Sequence, residues 1–140
     1  REKAMITTGD AATYYANGIK ANMDYWKSIV PVQYNIDLNV PASYYTQDAV
    51  AYSGTTEQKL DKIYLQKWVS LYFTGLEAWF DWRRTGKPVI VPGQNNLNNN
   101  KVPVRFIYPL NEQSLNGTNR TEAVTRQGAD DINTRIWIAQ

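Results

Sequence analysis

Cysteine and histidine are both missing from the 140 residues. Their absence removes thiol nucleophiles, disulfides, Ser-His-Asp and Cys-His catalytic sets and the ordinary zinc site, all of which need a thiolate or an imidazole. It leaves the redox compartment open, since a chain without thiols suits either one. Long hydrophobic runs are missing too: no segment approaches the roughly 18 consecutive apolar residues that a membrane-spanning helix needs. No signal-peptide pattern opens the sequence, which starts at Arg1 without an initiator Met. The expectation is a fragment or a processed chain whose targeting signal lies upstream. Charge of one sign is also scarce, with 15 Lys and Arg against 13 Asp and Glu for a net +2. The basic residues are scattered along the chain, which argues against a nucleic-acid stripe or a polybasic membrane patch.

What the chain does have is aromatic surface. Ten Tyr and five Trp accompany abundant Asn, in a chain of one-domain length with 43% hydrophobic residues. Tyr and Trp pair an apolar body with a polar handle, so this mixture suits aromatic faces that still touch water. A Tyr-rich core is the competing explanation.

The first element is a helix. Asp10 can cap it after the Thr7-Thr8-Gly9 turn. Tyr15, Ile19, Met23, Trp26 and Val30 then fall at helical spacing, the helix running to about Ser28 before Pro31 stops it. Gly18 lies beside this stripe, where a missing side chain lets a neighbouring helix come close. From Pro31 to Pro41 the chain reads as extended or loop, and Ala42 to Val50 as a short helix carrying Tyr44 and Tyr45. Thr56 is the expected N-cap of a longer helix with Leu60, Tyr64, Trp68, Leu71 and Tyr72 on one face. Thr74-Gly75 breaks it, and a second segment runs to Gly86 and Pro88. The resulting hairpin, Leu65 to Gly86, holds Trp68, Trp79 and Trp82, with Trp68, Leu71 and Trp79 expected to be buried. Val89-Ile90-Val91 and the tail Thr134 to Ala139 read as short strands. The Asn-rich stretch Gln94 to Asn100 reads as an exposed, weakly ordered loop. Asn111 to Leu115 and Thr121 to Gln127 read as short helices, the second stopped by Gly128.

Few residues carry visible chemistry. Glu77 and Asp81 stand four apart on one helix face with Arg84. A glycosidase brings its carboxyl pair from separate elements across a cleft, roughly 5–9.5 Å apart. The better reading is an ion network in which Arg83 or Arg84 meets a carboxylate. Asp130, Asp131 and Asn133 offer oxygens of the kind calcium accepts, but without the Gly and closing Glu of an EF-hand loop. No metal and no cofactor are expected. The best ligand-contact candidates are aromatics outside the periodic stripes: Tyr34, Tyr44, Tyr45 and Tyr52, with Asn35 and Asp37 beside them for hydrogen bonds. Flat rings suit the apolar faces of sugars, while amides and carboxylates suit hydroxyls. That these tyrosines simply fill space between helices carries more weight on the sequence alone.

Several motifs together resemble the SusD/RagB family of surface lipoproteins. They are Tyr14-Tyr15 with Gly18-Ile19 and Tyr25-Trp26, then Gln66-Lys67-Trp68, then Glu77-Ala-Trp-Phe-Asp-Trp-Arg-Arg-Thr-Gly86-Lys-Pro88. Arg105, Tyr108-Pro109, Glu112 and Asn116 follow, then Asn119, Ala123 and the Gly128 to Trp137 terminus. The resemblance implies a mainly α-helical fold with tetratricopeptide helices, long irregular loops and a few short strands. It places residues 1–140 as the C-terminal portion of a SusD-like domain, without the lipidated N-terminal cysteine and tetratricopeptide part. It also implies a non-catalytic role at the cell surface of Bacteroidetes, lipid-anchored in the outer membrane. There the protein binds glycan, or peptide in some members, and hands it to a SusC-like TonB-dependent transporter. A glycoside hydrolase and a purely structural subunit of an outer-membrane complex are the competing functions. A further expectation is an apolar patch on the first and second long helices, wider than the short segments after them can cover.

Overall fold

Asp10 starts the first helix as expected: its carboxylate accepts hydrogen bonds from the Thr13 N–H and hydroxyl, both at 2.9 Å. The computed structural model describes residues 9–137 and divides into two units, residues 1–82 and 83–140.

In the first unit, helix α1 spans Ala11–Ile29 and closes on a Val30 N–H to Trp26 carbonyl bond at 2.9 Å. Pro31 follows in extended conformation and begins a 3-10 turn, Val32–Tyr34. A second 3-10 turn, Ala42–Thr46, replaces the short α-helix expected there. Helix α2, Thr56–Ser70, is capped by Thr55 rather than Thr56. Thr55 and Gln58 form a capping box, each side chain taking the other's backbone N–H, which satisfies two donors the helix start leaves open. The helix ends at Ser70, a few residues before the Thr74-Gly75 break, and a turn with Gly75 at positive φ leads into α3, Glu77–Thr85. Gly86, at φ 68°, supplies the left-handed residue that ends α3.

Three long-range bonds hold the connection between α1 and α2 against them. The Tyr15 hydroxyl donates to the Val50 carbonyl at 2.7 Å, and the Tyr44 hydroxyl to Gln66 Oε1 at 3.0 Å. Lys62 Nζ donates to the Ser53 carbonyl at 3.1 Å. Val50 is 4% exposed, and it and Ile19 are the hydrophobic residues of the described chain that are buried. Trp68, Leu71 and Trp79 are half-buried instead of buried. Their helices lie in a layer with no second apolar layer of this chain over it.

In the second unit, α4 spans Leu110–Leu115 and α5 spans Gly117–Gln127. The latter starts four residues before the expected Thr121 and stops at Gly128 (φ 97°) as expected. Among the described residues there is no strand. Val89 to Val91 is irregular, since Pro88 and Pro92 bracket it and no partner strand lies alongside to take its backbone groups. Thr134 to Ile136 is likewise irregular, and the rest of that expected strand lies outside the described residues. The Asn-rich loop is better organised than its composition suggests. Asn98 and Asn133 exchange two amide hydrogen bonds, at 2.9 and 2.8 Å, and Asn98 Nδ2 also reaches the Lys101 carbonyl at 3.0 Å.

Candidate functional site

The six candidate residues fall into three separate settings. Tyr34 ends the first 3-10 turn with its ring exposed, and Asn35 follows in the left-handed region at φ 45°. Asp37 accepts from the Asn39 N–H at 2.9 Å and its amide at 2.8 Å, closing a local turn. Tyr44 and Tyr45 sit edge to face on the second 3-10 turn, centroids 6.0 Å apart, both half-buried. Tyr52 lies against the Tyr15 ring at 5.1 Å, with the Lys59 ammonium 5.4 Å from its centre. Burial first, and then Tyr44, push the Tyr15 hydroxyl up to about 12. Tyr44, Tyr45 and Tyr52 thus help to fill the space around α1 and α2, whereas Tyr34 faces solvent.

A more prominent aromatic surface lies where the end of α1 meets the turn after α2. Tyr25 and Trp26 pack edge to face at 5.7 Å, Trp26 meets Phe73 at 6.1 Å, and Phe73 meets Tyr72 at 4.3 Å. Phe73 is 80% exposed and Tyr72 66% exposed. Phe73 also adopts φ 65°, which a bulky side chain rarely tolerates. The turn therefore holds a large apolar ring in water at a conformational cost. Periodicity had assigned Trp26 and Tyr72 to packing faces. The overlooked signal is that each has an aromatic neighbour, Tyr25 or Phe73. Adjacent residues on a helix point about 100° apart, so one core face does not take both rings of a pair.

Beside this surface, α1 and α2 enclose a cavity of about 620 Å³ lined largely by apolar groups, among them Ile19, Met23, Ile63 and Val69. The carboxylates are otherwise engaged. Asp81 pairs with Lys67 at 2.8 Å. Asp130 bridges Arg105 at 3.1 Å and Arg120 at 2.8 Å, and also accepts from the Tyr108 N–H at 3.0 Å. Burial opposes the charged Asp130 carboxylate, but the Tyr108 N–H, Arg120 and Arg105 outweigh it and hold its pKa below the usual carboxylate range. Its oxygens are thus committed to donors rather than arranged for calcium. Among the described residues no cluster of acidic side chains is suited to hold a metal ion, and no helix is long and apolar enough to cross a membrane.

No curated protein matches the chain. Solved structures do. A SusD homolog from Bacteroides fragilis NCTC 9343 is 30% identical with a TM-score of 0.75, over 96% of this chain and 31% of that one. A Bacteroidetes SusD-like protein is 27% identical with a TM-score of 0.82, over 99% of this chain and 28% of that one. A chitin-binding protein is 28% identical with a TM-score of 0.73, over 95% of this chain and 29% of that one. The chain thus spans about a third or less of the length of these relatives. The family described as starch-binding and associating with the outer membrane matches residues 2–109, which hold both long helices, the aromatic surface and the cavity, and the chain belongs to this SusD-like family.

Proposed function

We propose that this chain is the C-terminal portion of a non-catalytic, glycan-binding surface protein. In this reading it passes captured oligosaccharide to a SusC-like TonB-dependent transporter, and a lipid anchor outside the chain holds it at the outer membrane. The observation that carries the reading is the exposed Tyr25-Trp26-Phe73-Tyr72 surface, in a family described as starch-binding. Similarity to a chitin-binding protein points in the same direction. Sugar rings stack on such faces through their apolar C–H surfaces, and the strained Phe73 turn keeps a face open. Tyr34 is a second exposed contact, with Asn35 beside it. Tyr44, Tyr45 and Tyr52 support the segment that carries them.

The engaged carboxylates favour binding over hydrolysis. Asp81, one half of the co-helical pair, is held by Lys67, and Asp130 by two arginines. Co-sedimentation with insoluble chitin and starch, with reducing-end release followed in the same tubes, tests the reading. Retention without release is expected. Release of reducing ends overturns the non-catalytic part, and retention on peptide ligands alone overturns the glycan.

A further inference from the structure

We propose that the groove between α1 and α2 is a seat for an amphipathic helix. Its occupant belongs to the same polypeptide, in the part that the longer relatives carry beyond the span matched here. Three observations lead to this occupant.

The first is Gly18. It lies within α1 and lines the cavity, and a Cβ placed there meets nothing within 4 Å. A glycine inside a helix costs about 1 kcal/mol relative to alanine. No contact within the described chain uses the space it leaves. A body that approaches α1 closely gives that space a purpose, and helix backbones do so where side chains are smallest.

The second is the chemistry of the lining. Ile19, Met23, Ile63 and Val69 present aliphatic surface. The polar groups around them are already engaged. Gln66 takes the Tyr44 hydroxyl, Asn22 donates to the Ser70 carbonyl, Asn39 bonds Asp37 and Lys27, and Lys67 pairs with Asp81. A glycan needs uncommitted amides and carboxylates to replace water on its hydroxyls. An apolar helix stripe needs only the aliphatic surface, so the groove suits polypeptide where the Phe73 surface suits sugar.

The third is length. The matched relatives have about 69–72% of their chains outside the part aligned with this one, from their printed coverage of 31% and 28%. The described residues alone bury just two hydrophobic side chains. A helix from that additional length is the occupant the groove's size and chemistry fit.

The absence of cysteine permits a direct test by thiol labelling. Met23→Cys and Ile63→Cys report from the groove, and Leu97→Cys, at a fully exposed position, is the control. In the intact polypeptide as the cell makes it, both groove thiols should react at least about tenfold more slowly than in the 140-residue chain, the control being unchanged. Gly18→Leu should abolish that protection and lower the melting temperature of the intact polypeptide, but leave the 140-residue chain no less stable. Equal labelling in both forms overturns the proposal, as does an intact polypeptide no longer than this chain. Protection that appears in the 140-residue chain and rises with its concentration assigns the groove to a second copy, and overturns it too.

Discussion

Arg105 and Asp130, 25 residues apart in sequence, meet at 3.1 Å with side chains only 6% and 9% exposed. Arg105 Nε also donates to the Phe106 carbonyl at 2.9 Å, and Asp130 takes the Tyr108 N–H and Arg120. One carboxylate thus ties the 105–108 segment to α5 and the turn after it. Its folded pKa lies below the usual value of 3.8. The stabilisation is therefore fully present above that value and is lost as pH falls through the folded one. Denaturation midpoints measured across acid pH should fall in this window, and Asp130→Asn should lower the neutral-pH midpoint while flattening that slope. An unchanged slope contradicts the role assigned to Asp130.

Tyr15 gives the opposite sign at alkaline pH. Its hydroxyl donates to the carbonyl of nearly buried Val50, and its folded pKa is raised from 10.0 to about 12. The protonated form is the one the fold favours, so the contribution is full below pH 10 and lost as pH rises towards about 12. Tyr15→Phe should remove this alkaline loss and cost about 1 kcal/mol at neutral pH, the net worth of one hydrogen bond. Urea melts at neutral and alkaline pH read both effects.

The cap of α2 separates two neighbouring threonines. Thr55 accepts the Gln58 N–H at 3.3 Å, and Gln58 Oε1 accepts the Thr55 N–H at 2.8 Å. Thr55→Ala should destabilise the chain by about 1 kcal/mol, and Thr56→Ala by clearly less. Equal effects in chemical denaturation contradict the capping box.

Asn98 and Asn133 bond to each other twice across 35 residues. A double-mutant cycle with alanine should therefore show coupling of about 0.5 kcal/mol or more. Deletion of residues 95–97 should destabilise the second unit, because it moves Asn98. Tolerance of that deletion, with additive single mutants, returns the segment to a passive loop.

Helices with a cap and a regular stripe were legible in the sequence, because both signals are local. Asp10, Gly86 and Gly128 marked the ends they make. Thr55 was missed by one residue since Thr56 offers the same hydroxyl, and Gln58 decides between them by reaching the Thr55 N–H. The strand at Val89 to Val91 failed because β-branched composition does not supply a partner strand. Burial at Trp68, Leu71 and Trp79 was overestimated, since periodicity names the apolar face without stating what covers it. The aromatic surface was not legible because Trp26 and Phe73 lie far apart in the chain and meet only through the packing of α1 and α2.

The central claim is that the Trp26-Phe73 surface binds glycan. Its most direct test is the fluorescence of the chain on titration with chito- and malto-oligosaccharides, for the wild type, Trp26→Phe, Phe73→Ala and Tyr72→Ala. A saturable change in the wild type should disappear with Trp26→Phe, and each ring truncation should weaken binding about tenfold, or about 1.4 kcal/mol. Saturable binding to either glycan series that is unaffected by all three substitutions, or no binding to either series, contradicts it.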